Sequence, residues 1–125
     1  MPRLMSFAMT TRQFRERTKT VTRRLGWWHL KPGEIVEGVE KAQGLKAGEK
    51  VKRLGKIRIV SVRAEPLNTI TADDVVREGF PDRTPAQFVQ MFTLHHGICP
   101  DRIVNRIEFG YVDYAALTGE RTEGK

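Results

Sequence analysis

The stretch VKRLGKIRIVSVRA, from Val51 to Ala64, constrains the fold more than any other part of the chain. Its second half is β-branched and nearly continuous, which predicts a long central strand covered on much of both sides. Shorter strands are predicted around it. Arg3 to Ala8 reads as a first strand, and Thr18 to Leu25 alternates β-branched with long basic residues, as a half-buried strand does. A loop at Gly26-Trp27-Trp28-His29 and a turn at Lys31-Pro32-Gly33-Glu34 lead into a strand near Ile35 to Val39. Ile103, Ile107, Phe109 and Tyr111, alternating with Val104, Arg106, Glu108 and Val112, mark a closing strand.

Helix signals lie between these strands. Thr10 or Thr11 can cap a short helix running through Arg17. Thr71-Ala72-Asp73-Asp74 opens like a capping box, with Asp in place of the usual Glu or Gln, before a short helix that Gly79 can end. Thr84-Pro85-Ala86-Gln87 is a stronger start: Thr caps, Pro fits the first turn, and Gln reaches back to the cap amide. Phe88, Met91, Phe92 and His95 then follow helical spacing to a stop at Gly97. Residues 40–50, rich in Lys, Gly and Glu, read as an exposed hairpin tip. Several strands with short inserted helices predict an α+β fold around a curved or closed sheet, with the helix at 84–96 packed across an open end.

A chain of 125 residues with 39% apolar residues suits one core, so residues 1–113 are expected to form one domain and 114–125 a loosely attached tail. A monomer is favoured. No window approaches the roughly 18 uninterrupted apolar residues of a membrane span, the first residues lack a secretory signal's long apolar stretch, and the single cysteine, Cys99, cannot close an internal disulfide. These features predict a cytoplasmic protein with no membrane partner. The net charge of +7 is unevenly placed: residues 1–63 hold 16 Lys/Arg against 5 Asp/Glu, a local +11, and residues 64–125 hold 6 against 10, a local −4. A basic surface of that kind attracts polyanions through counterion release, and the alternative is a plain solvated face.

The chemistry-bearing segment is Lys19-Thr20-Val21-Thr22-Arg23-Arg24. A lysine and a threonine three apart point to opposite faces of a regular strand. Sharing a pocket therefore requires Lys19 to sit at a helix-to-strand junction or a bulge. Without that, the segment is a strand with a snorkelling lysine and a packed threonine.

The order of these segments resembles the ASCH domains over about residues 3–112: the first strand and short helix, KTVTRR, PGE, KIRIVSV, VVREGF and IEFGYV. That resemblance implies a PUA-like β-barrel thought to bind RNA. It also implies a cleft holding the Lys-x-x-Thr strand and a glutamate from the helix after the long strand, which places Lys19, Thr22 and Glu78 in it. Within the family, the small bacterial amidohydrolases that deacetylate N(4)-acetylcytidine are similar, and the LNTIT segment, Leu67 to Thr71, leads to Glu78 in their register. The Lys-rich segment at 40–56 and HHGICPD at 95–101 depart from their pattern.

Such a trio can perform acyl transfer. A lysine crowded by Arg23 and Arg24 is pushed toward its neutral form and can take the proton of the Thr22 hydroxyl, making Thr22 the nucleophile. Glu78 would orient Lys19 or donate to the leaving amine, and Arg24 would steady an oxyanion or hold a phosphate. The bland arrangement is a Lys19–Glu78 ion pair with Thr22 packed in the barrel wall. Trp27 and Trp28, beside Arg23, Arg24 and His29, are candidates for stacking on a base, although at least one tryptophan is expected in the core, and Arg23, Arg24 and Lys31 are the basic residues expected to meet the ligand. Phe88, Met91 and Phe92 read as core. His95, His96 and Cys99 lack a fourth partner and a recognised ligand spacing, so no metal is expected, nor any cofactor. The expected function is binding of RNA, or of a nucleoside or nucleotide, in a Lys-Thr-Glu pocket. Deacylation of an N-acylated cytidine is the alternative, and ribonuclease action a second one.

Overall fold

The β-branched run forms the longest strand among the described residues. In the computed structural model, which describes residues 2–42 and 45–113, strand β4 spans Arg53–Pro66 and lies at the centre of a five-stranded sheet. It pairs antiparallel with β3 (Ile35–Val39) on one side and β5 (Ile103–Tyr111) on the other. β1 (Arg3–Ser6) adds parallel to β3, and β2 (Val21–Arg24) adds antiparallel to β5, giving the order β1-β3-β4-β5-β2. The sheet curls into a half-barrel with β1 and β2 at its edges, the α+β architecture expected around a curved sheet.

β4 differs from expectation in its burial. Ile57 and Ile59 are buried while Arg58 and Val60 face out, so only one side of the strand is covered along its centre. Its register with β5 shifts between Ile59 and Ser61, which leaves Val60 as the extra, half-exposed residue of a bulge. The bulge brings Val62 back to the face of Ile59. A continuous apolar run therefore does not require two covered faces when a bulge divides it.

Among the described residues three α-helices fill the connections. A 3-10 turn at Ala8–Thr10 runs into α1 (Thr11–Arg15), which is shorter than predicted. α2 spans Ala72–Arg77, and α3 spans Pro85–His96. The α3 start is as read from sequence: Thr84 accepts from the Gln87 amide at 3.1 Å, and Gln87 Oε1 accepts from the Thr84 amide at 2.9 Å. Gly97 closes it at φ +65°. At α2 the resemblance to a capping box is half right. Thr71 accepts from the Asp74 amide, but the Asp74 carboxylate turns away to bind arginines of the sheet.

The sheet's curl encloses a core of Met5, Phe7, Phe14, Val36, Ile57 and Phe109, with Trp27 packed against it. A second core, of Leu67, Ile70, Val75, Phe88, Phe92 and Val104, joins α2 and α3 to the end of the sheet. Burial of each large side chain contributes about 1.5–3 kcal/mol. Residues 40–50 connect β3 to β4 as a hairpin, with 43 and 44 outside the described residues, as is the tail expected at 114–125. Among the described residues no helix is long and apolar enough to cross a membrane.

Candidate functional site

The question left by the Lys19–Thr22 spacing is answered by where β2 begins. The strand starts at Val21, so Lys19 precedes it at the junction with the first helix, free of the strand's alternation. The Thr20 amide donates to the Arg77 carbonyl at 2.8 Å, its carbonyl accepts from the Phe109 amide, and the Tyr111 hydroxyl donates to the Lys19 carbonyl. The junction is thereby tied to the end of α2 and to β5. Lys19 and Thr22 line the same cavity, of about 200 Å³, with Arg24 and Glu78.

Glu78 reaches the cavity because α2 ends there. It is the residue after the last turn, and Gly79 follows at φ +102°, a conformation that favours glycine. A Cβ on Gly79 would lie 2.8 Å from Gln13 Cγ, and the Gln13 amide nitrogen donates to the Gly79 carbonyl. Glycine is required at this position on both counts.

Lys19 Nζ donates to Glu78 Oε1 at 2.8 Å and to the Glu78 carbonyl at 2.9 Å, with both side chains almost fully buried. Arg23 donates to Glu78 Oε2 at 3.1 Å, to Asp74 Oδ2 at 2.7 Å and to Glu65 Oε2 at 2.7 Å. Arg106 binds Asp74 through two further bonds, at 2.6 and 3.0 Å. Arg24 Nε donates to Thr22 Oγ1 at 3.0 Å, and its guanidinium lies 4.8 Å from the centre of the Phe7 ring. Thr22 thus bonds to Arg24, while Lys19 bonds to Glu78.

These contacts set the ionisation. Burial pushes the Lys19 ammonium below its ordinary value; Glu78 opposes the shift, and Arg24 and Arg23 add to it. The arginine crowding expected from sequence is thus the lesser cause. Burial likewise brings Arg24 down to about 10, with Glu78 opposing. Asp74 is held well below the usual carboxylate range, first by its hydrogen bonds from Arg106.

The walls of the cavity are aromatic and apolar: Phe7 from the end of β1, Phe80 after α2, and Phe88, Met91 and Phe92 from α3. His95 and His96 line it from the last turn of α3. The reading of Phe88, Met91 and Phe92 as core alone was incomplete, because the stripe that packs α3 against the sheet also faces the cavity. From sequence, His95 belongs to the helical stripe and neither histidine has a place in the pocket; the signal for both is their position in the last turn of a well-capped helix. Among the described residues no three His, Cys, Asp or Glu side chains group as a metal site.

Of the residues expected to meet a ligand, Arg24 lines the cavity. Arg23 borders it too, but is 3% exposed and committed to three carboxylates. Trp27, Trp28 and Lys31 lie outside the cavity lining. Trp27 packs on the first core beneath Arg3, whereas Trp28 is half-exposed and Lys31 exposed.

No family model and no curated protein matches the chain. Solved structures do. A DUF984-family protein from Enterococcus faecalis V583 superposes with a TM-score of 0.65 at 18% identity, covering 90% of this chain and 81% of that one. The ASCH domain from Lactobacillus crispatus JV V101 superposes with a TM-score of 0.62 at 17% identity, covering 86% and 77%. The architecture is therefore a known one, and this chain has the fold of an ASCH domain.

Proposed function

We propose that the cavity binds a single base, presented by a nucleoside, a nucleotide or an RNA strand. The observation that carries this reading is a small aromatic-walled cavity with a polar floor of Lys19, Thr22, Arg24 and Glu78. Flat apolar walls suit a π-face, and a few fixed donors and acceptors suit a base edge. At about 200 Å³ the space falls below the roughly 300–1,000 Å³ of drug-sized sites, which favours one base over a longer segment. The test is a titration with cytidine and with single-stranded RNA, followed through the amide resonances of Phe88, Met91 and Phe92. Saturable shifts at these residues, weakened in Thr22→Val, are expected; no response to either ligand would remove the reading.

Hydrolysis of an N-acylated cytidine is the second reading, favoured by the lowered ammonium of Lys19 beside Thr22 and Glu78. Neutral Lys19 would take the Thr22 proton as Oγ attacks the acyl carbon. The amine would leave with that proton returned from Lys19, directly or relayed through Glu78, and water, giving its proton to Lys19, would then release the acyl group from Thr22. For this chemistry Thr22 Oγ1 must turn its proton to Lys19 while keeping Arg24 as donor. With N(4)-acetylcytidine, Lys19→Ala, Thr22→Ala and Glu78→Ala should each remove most of the release of acetate. Near-full turnover in Thr22→Ala would mean that Lys19 activates water instead.

A further inference from the structure

Four cations are buried or partly buried around the cavity floor, Lys19, Arg23, Arg24 and Arg106, and four carboxylates face them, Glu65, Asp74, Glu78 and, 3.9 Å from Arg106, Glu108. Lys19, Arg23 and Arg106 each hold at least one of these carboxylates. Among the described residues Arg24 forms no ion pair, and Glu65 is shared further with the exposed Arg63. Arg24 is therefore the cation of this cluster left without a carboxylate at ion-pair distance among the described residues.

A partly buried guanidinium without an ion-pair partner is costly, since burial removes its hydration and Glu78, acting on it only at a distance, opposes that effect without forming a pair. Its position is nevertheless fixed. Thr22 Oγ1 holds Nε, the Phe7 ring lies beneath the guanidinium, and the terminal amino groups make no hydrogen bond to the described residues. The pleat of β2 explains the difference from Arg23: adjacent strand residues face opposite ways, so Arg23 meets the acids of α2 and β4 while Arg24 faces the curl of the sheet.

His96 borders the same cavity. Its ring packs on Phe92 with centroids 4.3 Å apart, and His95 stands perpendicular to it at 4.7 Å. The imidazolium form of His96 is disfavoured by partial burial, then by His95 and by Arg24 across the cavity. The other charged groups lining this space are Lys19, Arg23 and Glu78, all paired.

We infer that Arg24 and His96 form an anion subsite that holds a phosphate of the ligand, so that the cavity selects a phosphorylated nucleoside over the free one. Arg24 supplies the planar fork of donors that phosphate oxygens accept, and His96 supplies a second donor from the facing helix. A phosphate placed between them would give Arg24 a counterion and offset the repulsion that adds to burial in disfavouring the imidazolium. The inference deepens the base-binding reading and rests on it for the rest of the ligand, although the subsite can be probed alone. A terminal phosphate and a backbone diester share this chemistry.

Two measurements separate the subsite from the base site. The first follows the His96 ring resonance against pH in sodium sulfate and in sodium chloride of equal ionic strength, with His96→Gln assigning the signal. Sulfate does not itself titrate in this range, and its binding should raise the His96 midpoint by about half a unit or more. The second compares cytidine 5′-monophosphate with cytidine. The nucleotide should bind about tenfold tighter, as one charge-assisted contact predicts, and Arg24→Gln and His96→Gln should bring that ratio close to one. Equal binding of both ligands by the wild type would overturn the inference and leave the base reading standing. A sulfate-induced rise with neither ligand bound would keep the anion subsite and overturn the base reading. Absence of both effects removes both. A cytidine dinucleotide matching the monophosphate would identify a backbone diester as the phosphate held.

Discussion

The alternation of β2 sends Arg23 and Arg24 to opposite faces, and the two guanidiniums meet different surroundings there. Arg23 is joined through Asp74 to Arg106, so one carboxylate holds two buried arginines together. Replacing Asp74 by Asn would leave both cations undercompensated in a site with little water, and breaking such a pair by removing one partner costs about 3–5 kcal/mol. Asp74→Asn should therefore unfold in urea with a loss of that size. The same carboxylate governs acid stability. Its folded pKa lies well below its unfolded value, so its contribution is fully present above about pH 4 and declines as pH falls toward the folded pKa. The acid limb of stability against pH should be steeper in the wild type than in Asp74→Asn; parallel limbs would show that Asp74 does not carry it.

At the scale of elements, the legible parts were those written in neighbouring residues. The capping box and glycine stop of α3 depend on residues three apart and on one φ angle, and both are found. The sequence also stated the condition under which Lys19 and Thr22 could share a pocket, and the late start of β2 meets it. Asp74 was misread because its partners are distant: Arg23 lies 51 positions away and Arg106 lies 32. No local pattern distinguishes a cap-closing acid from one drawn into the sheet. Gly79 and Gly97 allow the element-level reading to be tested, since both end helices at positive φ. Around Gly97 a Cβ would meet nothing within 4 Å, whereas at Gly79 it would strike Gln13. Gly97→Ala should cost about 1 kcal/mol from backbone strain. Gly79→Ala should cost at least about 2 kcal/mol, from strain at its larger φ together with the clash. Equal losses in denaturant unfolding would mean that Gln13 simply moves aside.

For the whole molecule, folding redistributes the charge asymmetry of the sequence. Glu65, Asp74 and Glu78 come from the acidic half and pair with Lys19 and Arg23 of the basic half, so part of the +11 is neutralised inside the protein. Other cations of the basic half lie in surface pairs, such as Arg12 with Glu16 and Arg15 with Glu40. Lys52, Lys56 and Arg58, along and just before β4, form no ion pair among the described residues. Net charge along the sequence thus overstates the field available to a polyanion, and these three positions, close together at one strand, are among those where it persists. If the proposed ligand is an RNA strand, its affinity should fall linearly in log–log form with salt. Each phosphate neutralised contributes a slope of about −0.7 for a single strand. Lys52→Ala, Lys56→Ala and Arg58→Ala combined should then flatten the slope by about two, while Arg12→Ala, which removes a cation already balanced by Glu16, should change it far less. A slope unchanged by the triple substitution would place the strand on another face, and one equally altered by Arg12→Ala would mean that total charge, not its placement, drives association.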